Sequence, residues 1–299
     1  MRRSPFTALC SQLHRLASPP RADLHVHTTA SDGEYTPSQV AALAREARLA
    51  AVAVTDHDTL AGVDEAVEAA RGFAAPAVEV IPGVEITTEL DRRELHLLGY
   101  FVRPDHTELA DTLRRLCERR RERFFDYVAK LNAAGHTIPA DRAELVAART
   151  ASLGRRHVAG LLVACGFTGN TNGAFYRYLH PLQKHVIPKL LLPIEEAIRL
   201  VREAGGASSL AHPPALSDEQ FARLRAAGLD GIEAEYPFGR SSPGGWLRAV
   251  AARFGFVRTG GSDCHGPNPG HRRIGSTAVP LEHLDELRRR CGHAAATPM

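Results

Sequence analysis

The sequence predicts an α/β protein built on a mostly parallel sheet, open or closed into a barrel, with an all-helical insertion. Three observations predict it. Short apolar, β-rich runs recur at 24–27, 51–55, 78–81, 95–102, 207–211, 231–235 and 256–259. Amphipathic helical patterns separate most of them, at 61–73, 194–204, 218–227 and 246–254, and another starts at Thr36-Pro37, an N-cap residue followed by proline at the first helical position. Such alternation gives βα units and a parallel sheet. The third observation is a break. From about 104 to 193 no strand pattern occurs, and helices are predicted at 108–134, 140–148, 156–165 and 173–179. The expected organisation is a barrel domain from 22–103 and 194–299, a helical insertion at 104–193, and a disordered tail at 1–21.

Composition narrows the function classes. The chain has 299 residues, 44% of them hydrophobic and 24% charged, which is ordinary for a globular protein. No apolar run approaches the roughly 20 residues of a membrane span, so no membrane association is expected. A net charge of +3 is too small to argue for nucleic acid by itself. Cys10, Cys117, Cys165, Cys264 and Cys291 are scattered, odd in number and form no CxxC pair. That argues against a disulfide framework and for a reducing, cytoplasmic compartment. The tail lacks acidic residues, which leaves a transit peptide open as an alternative to simple disorder.

The 15 histidines carry the functional signal. In a parallel βα fold, functional groups gather at the carboxyl ends of strands. The first predicted strand ends in His25 and His27, which share a face because residues i and i+2 of a strand do so. Asp32 follows beside a glycine. The second ends in Thr55-Asp56-His57-Asp58, the third runs into PGVE with Glu85, and the fourth carries His96. His212 follows in SLAHP, and Asp263 and His265 lie in GGSDCHG. Singly, each reads as ordinary: a hydrogen-bonded histidine, a helix cap for Glu85, a turn residue for Asp263. Together, nine such groups at one barrel mouth would leave buried carboxylates unpaired unless cations were present. Imidazole mixed with carboxylate suits zinc, iron or manganese.

The motifs DLHVHT, TDHDT, PGVE, ELHLLGY, AHP and GGSDCHG resemble, in order, those of the PHP (polymerase and histidinol phosphatase) superfamily of metal-dependent phosphoesterases. The resemblance spans nearly all of the chain after Arg21. It is strongest to the freestanding branch with a helical insertion, which includes 3′,5′-nucleoside bisphosphate phosphatases and 5′-to-3′ exoribonucleases. It implies a distorted (β/α)7 barrel and three divalent ions, manganese, zinc or iron. His25, His27, Glu85 and Asp263 would hold one ion. Glu85 would bridge to a second, held also by His96 and His212. Asp32, His57 and His265 would hold the third. A metal-bound hydroxide held through Glu85, Asp263 and His212 would attack phosphorus. Asp23, Asp56 and Asp58 would orient ligands or cap backbone. Ser262 and Cys264 flank Asp263 without an activating triad, and Cys264 reads as a small buried residue.

Substrate choice is expected outside the metal ligands. The run RRLCERRRERFF from Arg114 is dense in arginine, although Glu118 and Glu122 interrupt it and a solvated helix face would look the same. By resemblance, Arg120 and Arg123 fit an Arg-x-x-Arg pattern. Arg155 and His157 fit a Gly-Arg-Pro-His motif in which Arg156 replaces the proline. Lys184 and Lys189 rank below them, and Tyr236 could stack on a base or line the barrel mouth. The implied activity is hydrolysis of a nucleotide phosphate ester, from a 3′,5′-bisphosphate or a short RNA, with no obligate protein partner. A phosphatase for a small metabolite such as histidinol phosphate is the alternative. A non-catalytic module is the third reading.

Overall fold

The computed structural model describes residues 19–74, 77–237, 243–267 and 272–293. Most of the tail expected over 1–21 lies outside them, and Arg21 already belongs to the first strand. Among the described residues, nine strands form one sheet. They are β1 Arg21–Val26, β2 Ala51–Val54, β3 Glu79–Leu90, β4 Arg93–Tyr100, β5 Leu192–Pro193, β6 Ala207–Leu210, β7 Gly231–Glu235, β8 Val257–Gly260 and β9 Val279–Pro280. The order β1-β2-β3-β4-β6-β7-β8 runs around the molecule, with β9 outside β1 and β5 beside β3. The segment after β8 then returns to β1. His27 N–H donates to the Cys264 carbonyl at 3.0 Å, and Asp263 N–H to the His25 carbonyl at 2.8 Å. These bonds nearly close the sheet into the barrel that the sequence predicts.

Two departures have physical causes. β3 is three times longer than its predicted run, because Pro82-Gly83 continues the strand instead of ending it. Its first half pairs in parallel with β2, and its second half pairs antiparallel with β4. A two-residue turn at Asp91-Arg92 joins β3 to β4, with both residues in the left-handed region at φ 53° and 65°. Turns of that kind match the twist of a hairpin. Asp91 is held there by Gln220 Nε2 at 2.8 Å and Arg223 Nη1 at 2.9 Å. Glu85 and His96 therefore lie within strands and not at their ends.

Around the barrel lie α1 Pro37–Glu46, α2 Val63–Arg71, α3 Thr107–Ala133, α4 Ala140–Arg149, α5 Arg155–Ala164, α6 Thr171–Ala174, α7 His180–Leu182, α8 Ile194–Glu203, α9 Asp218–Ala227, α10 Gly244–Phe254 and α11 Leu281–Arg290. A π-helical turn, Phe175–Leu179, joins α6 to α7. The starts follow local chemistry. Thr36 Oγ1 accepts the Gln39 amide at 3.2 Å, and Gln39 Oε1 accepts the Thr36 amide at 2.9 Å. The same exchange between Ser217 and Gln220 opens α9.

Helix α3 joins two cores. Its first turns bury Leu109, Leu113 and Leu116 in a cluster with β3, β4 and α8. Its later turns bury Phe124, Tyr127 and Leu131 in a second cluster with α4 and α5. Between these clusters, Arg120 Nε donates to Asp58 Oδ2 at 2.5 Å, and Nη2 donates to Thr87 Oγ1 at 2.8 Å. The side chains are 16% and 1% exposed, so this ion pair is essentially interior.

Gly261 permits barrel closure, because a Cβ there would lie 2.4 Å from the His25 nitrogen. Gly261→Ala is expected to cost about 3 kcal/mol, the upper range for overpacking. Thermal unfolding of chelated protein should show Tm lower by about 6–12 °C. Arg120→Ala strands the Asp58 charge and should cost about 3–5 kcal/mol. Burial alone would raise the Asp58 carboxyl, but the Arg120 guanidinium and the Thr87 amide hold it below its usual range. A depressed carboxylate contributes stability above its unfolded pKa of about 3.9 and loses it as pH falls further. The gap between wild type and Arg120→Ala should therefore be full at neutral pH and shrink below about pH 4 in denaturant titrations.

Candidate metal centre

Glu85 points from the middle of β3 into the barrel with 1% exposure. Five imidazoles surround it. His57 Nδ1 and His96 Nδ1 stand 2.9 Å from its oxygens, and His212 Nε2 stands at 3.0 Å. His27 Nε2 and His25 Nε2 follow at 3.3 and 3.5 Å. The two β1 histidines also face Asp263 Oδ1, at 3.2 Å from His27 and 3.5 Å from His25. Farther along, His265 Nε2 and His57 Nε2 lie 3.3 and 3.9 Å from Asp32 Oδ1. All nine residues proposed from the sequence are thus gathered at one end of the barrel.

Three overlapping groups have ligand atoms within 4.8 Å of one another and could each hold an ion: His25, His27 and Asp263; His57, Glu85 and His96; His27, Asp32, His57 and His265. The grouping differs in detail from the sequence expectation. His57 approaches Glu85 as well as Asp32, and His212 meets the cluster through Glu85 Oε1.

The donor set fits metal ions on its own chemistry. Glu85 Oε2, Asp32 Oδ1 and His57 Nδ1 are buried without a hydrogen-bond partner among the described residues. His57 Nδ1 and Glu85 Oε2 are 2.9 Å apart, yet their directions do not make a hydrogen bond. The Nε2 atoms of His25 and His27 stand 3.1 Å apart, a separation that two protonated nitrogens could not share. Lone pairs crowded in this way ask for a cation. Burial, then the neighbouring His265 and His57, push His27 down to about 3, which keeps its ring neutral and able to ligate. Burial lowers His96, but the Glu85 carboxylate overrides it and raises it to about 9.

Several residues hold this cluster in place. Asp23 Oδ1 accepts the Ser262 amide and Oδ2 the Gly275 amide, both at 2.8 Å, tying the segment after β8 to β1. Asp56 accepts the Thr28 amide at 2.7 Å and the Ser31 hydroxyl at 2.5 Å, bracing the turn that carries Asp32. Sequence reasoning missed Glu233, which is 0% exposed. Its Oε1 lies 3.1 Å from His25 Nδ1, and its Oε2 accepts the His212 amide at 2.6 Å. It aims the opposite nitrogen of His25 at the cluster and supports His212 at a strained φ of 28°. The signal was a glutamate alternating with apolar Ile232 and Ala234, a face that turns inward only once the barrel closes. Arg272 was also missed; it pairs with Asp263 Oδ2, which accepts the Tyr236 hydroxyl at 2.7 Å as well. Tyr236, read as a stacking or lining residue, therefore bonds a candidate ligand.

A cavity of about 280 Å³ opens from the cluster towards the insertion. Asp32, His57 and His96 form one wall, and Arg120, Arg123, Arg155 and Lys189 form the other, with Tyr127 and Phe175 between them. Arg120 is spent on Asp58. Arg123 is 9% exposed and, among the described residues, pairs with no carboxylate. Burial, with the positive Arg155 nearby, lowers its pKa. Arg155 Nη1 donates to Gln183 Oε1 at 2.9 Å. Helix α5 starts at Arg155, so Arg156 in place of proline does not delay it. His157 does not line the cavity: its Nδ1 accepts the Gly154 amide at 2.9 Å and caps α5. Lys184 is exposed and also off the wall, whereas Lys189 pairs with Glu94, whose Oε1 is 3.3 Å from His96 Nε2. Cys264 is fully buried. No helix among the described residues is long and apolar enough to cross a membrane.

Known proteins are similar to this chain. A family model described as the PHP domain matches residues 23–206. The chain is 34% identical over 253 residues to the 5′-3′ exoribonuclease Rnm of Salmonella typhimurium, covering 83% of this chain and 86% of that protein. It is 31% identical over 261 residues to the 3′,5′-nucleoside bisphosphate phosphatase of Chromobacterium violaceum, covering 85% and 90%. A solved structure of a candidate metal-dependent phosphoesterase from Bifidobacterium adolescentis matches with a TM-score of 0.82 and 30% identity, covering 91% of this chain and 98% of that one. The matched family segment spans well over half of the chain and contains Glu85, His57 and His96, and with the 34% identity to the exoribonuclease it shows that the chain belongs to the PHP domain family.

Proposed function

We propose that this chain is a metal-dependent phosphoesterase that hydrolyses a phosphate ester of a nucleotide, either a 3′,5′-nucleoside bisphosphate or the 5′ end of a short RNA. One observation carries the reading. The cavity of about 280 Å³ has the candidate metal ligands on one wall and, on the other, Arg123 and Arg155, which pair with no carboxylate among the described residues, with aromatic rings. That volume approaches the roughly 300 Å³ at which small-ligand pockets begin. The names of the relatives, an exoribonuclease and a nucleoside bisphosphate phosphatase, support the same substrate class.

The metal assignment in this reading is the sequence-based one. His25, His27, Glu85 and Asp263 would hold one ion, Glu85, His96 and His212 a second, and Asp32, His57 and His265 a third. The ions, manganese, zinc or iron, supply an activated water and neutralise charge on the phosphoryl oxygens. The protein supplies the rest. Glu233 fixes the ring of His25, and Asp23 and Asp56 fix the backbone that presents His25 and Asp32. Arg123 and Arg155 take a phosphate group that is not cleaved, since a guanidinium fork suits phosphate geometry. Phe175, only partly buried, offers its ring to the base or ribose. Residues 104–193 thus act as the substrate-binding insertion.

Protein reconstituted with manganese is expected to release phosphate from 3′-phosphoadenosine 5′-phosphate faster than from histidinol phosphate, and to stop when chelated. No turnover of any nucleotide ester would sink the reading. His25→Ala and Asp263→Ala should lose at least a thousandfold in kcat and bind less metal by elemental analysis, while circular dichroism stays that of a folded protein. Arg123→Ala should raise KM about tenfold with a smaller change in kcat, the signature of a lost uniform binding contact.

A further inference from the structure

The candidate centre opens on two sides. A second cavity, of about 250 Å³, is lined by Arg93, Glu94, His96, His212, Ala211 and Pro214. Glu94 and His96 belong to both cavities and form the wall between them, braced from the first side by the Lys189–Glu94 ion pair. His96 Nδ1 and His212 Nε2 meet at the same oxygen, Glu85 Oε1, at 2.9 and 3.0 Å. A phosphorus atom held over Glu85 is therefore within reach of both openings.

That geometry bears on which esters can be cleaved. This inference rests on the nucleotide phosphoesterase reading and deepens it. With the terminal nucleotide in the first cavity, its 5′-phosphate on Arg123 and Arg155, the scissile phosphate lies at the centre on the 3′ side. In a bisphosphate, that group ends in free oxygens. In an oligonucleotide, one of those oxygens carries the next nucleoside, which needs room beyond the centre. We propose that the second cavity is the subsite for this downstream nucleotide, with Arg93 contacting its following phosphate, so that the chain takes a 5′-phosphorylated oligoribonucleotide as well as a bisphosphate. In both substrates a water oxygen bonds to phosphorus and the P–O3′ bond breaks. The electron pair leaves on the 3′ oxygen, which takes a proton. The products are the terminal nucleotide and either phosphate or a 5′-phosphorylated remainder.

Arg93 suits the role. It is exposed at the start of β4, beside the hairpin tip that Asp91 pins to α9. Nη1 donates to the Ala215 carbonyl at 2.9 Å, and among the described residues no carboxylate pairs with the guanidinium. The Glu94 carboxylate beside it, which would repel a substrate phosphate, is already paired with Lys189.

The test compares Arg93→Ala and Pro214→Trp, the latter filling the cavity, with wild type on 3′-phosphoadenosine 5′-phosphate and on a 5′-phosphorylated pentaribonucleotide. The ratio of oligonucleotide to bisphosphate kcat/KM is expected to fall at least tenfold in each variant. A second readout needs no turnover: chelated protein should bind a 3′-labelled pentaribonucleotide by fluorescence anisotropy. There Arg93→Ala should flatten the log Kd against log salt slope by about 0.7, the value for one contact to a single strand. Unchanged ratios and an unchanged slope overturn the subsite. Wild-type protein that cleaves the bisphosphate but no oligonucleotide also overturns it, and leaves the phosphoesterase reading standing. Inactivity on both substrates overturns the phosphoesterase reading itself.

Discussion

A carboxylate with 1% exposure sits against five imidazoles, and the barrel is arranged to make that contact. Glu85 can be ionised in so dry a place only when positive charge or donors surround it, because an isolated buried carboxylate is too costly to keep. Its neighbours arrive from β1, from the ends of β2 and β6, and from the middle of β4. The last of these explains the one antiparallel strand of the ring. Running β4 back along β3 sets Thr87 opposite His96, which carries that ring to the Glu85 carboxylate two residues away on the same face. A crossover helix in place of the Asp91-Arg92 turn would give a parallel neighbour with a different register.

The centre is built against local stability. Asp58, His212 and Asp263 hold left-handed backbone at φ 52°, 28° and 50°. Asp23 and Glu233 are fully buried acids. Burial pushes Asp23 up to about 6 in spite of the Gly275 and Ser262 amides that it accepts. Conformations and charges of this kind persist only where surrounding structure over-determines them. The apolar cluster beneath the helices supplies that support: Val84, Ile86, Leu95 and Leu97 pack on the faces of β3 and β4 opposite Glu85 and His96. Alternation along each strand therefore divides a stabilising face from a reactive one.

That alternation is why so much was legible. His25 and His27 declared a shared face by their spacing, and the amphipathic pattern placed α9 at 218–227, as found. Failures occurred where a residue's meaning depends on a distant partner or on closure. Pro82-Gly83 reads locally as a strand end, yet β2, β4 and β5 pair along the whole of β3. Glu233 between Ile232 and Ala234 reads as a solvent face, and only a closed barrel reverses it. Arg120 matched a phosphate-binding pattern, but Asp58 lies 62 positions away in sequence. His157 matched a motif, and the amide of Gly154 claims its Nδ1.

The Arg120–Asp58 pair also changes how the insertion relates to the centre. Asp58 follows His57 directly, and its carboxylate accepts the amide of Thr87, the residue opposite His96. Lys189, from the other end of the insertion, pairs with Glu94, which lies 3.3 Å from the second nitrogen of His96. Both ends of the insertion thus grip residues adjacent to candidate ligands. A substrate phosphate drawing on Lys189 or on the neighbouring arginines would compete with the carboxylates that orient His57 and His96. The charges that line the first cavity and the candidate metal ligands consequently form one electrostatic network. Excising 104–193 would strip Asp58 and Glu94 of their counter-charges, so the barrel alone would not keep the same centre.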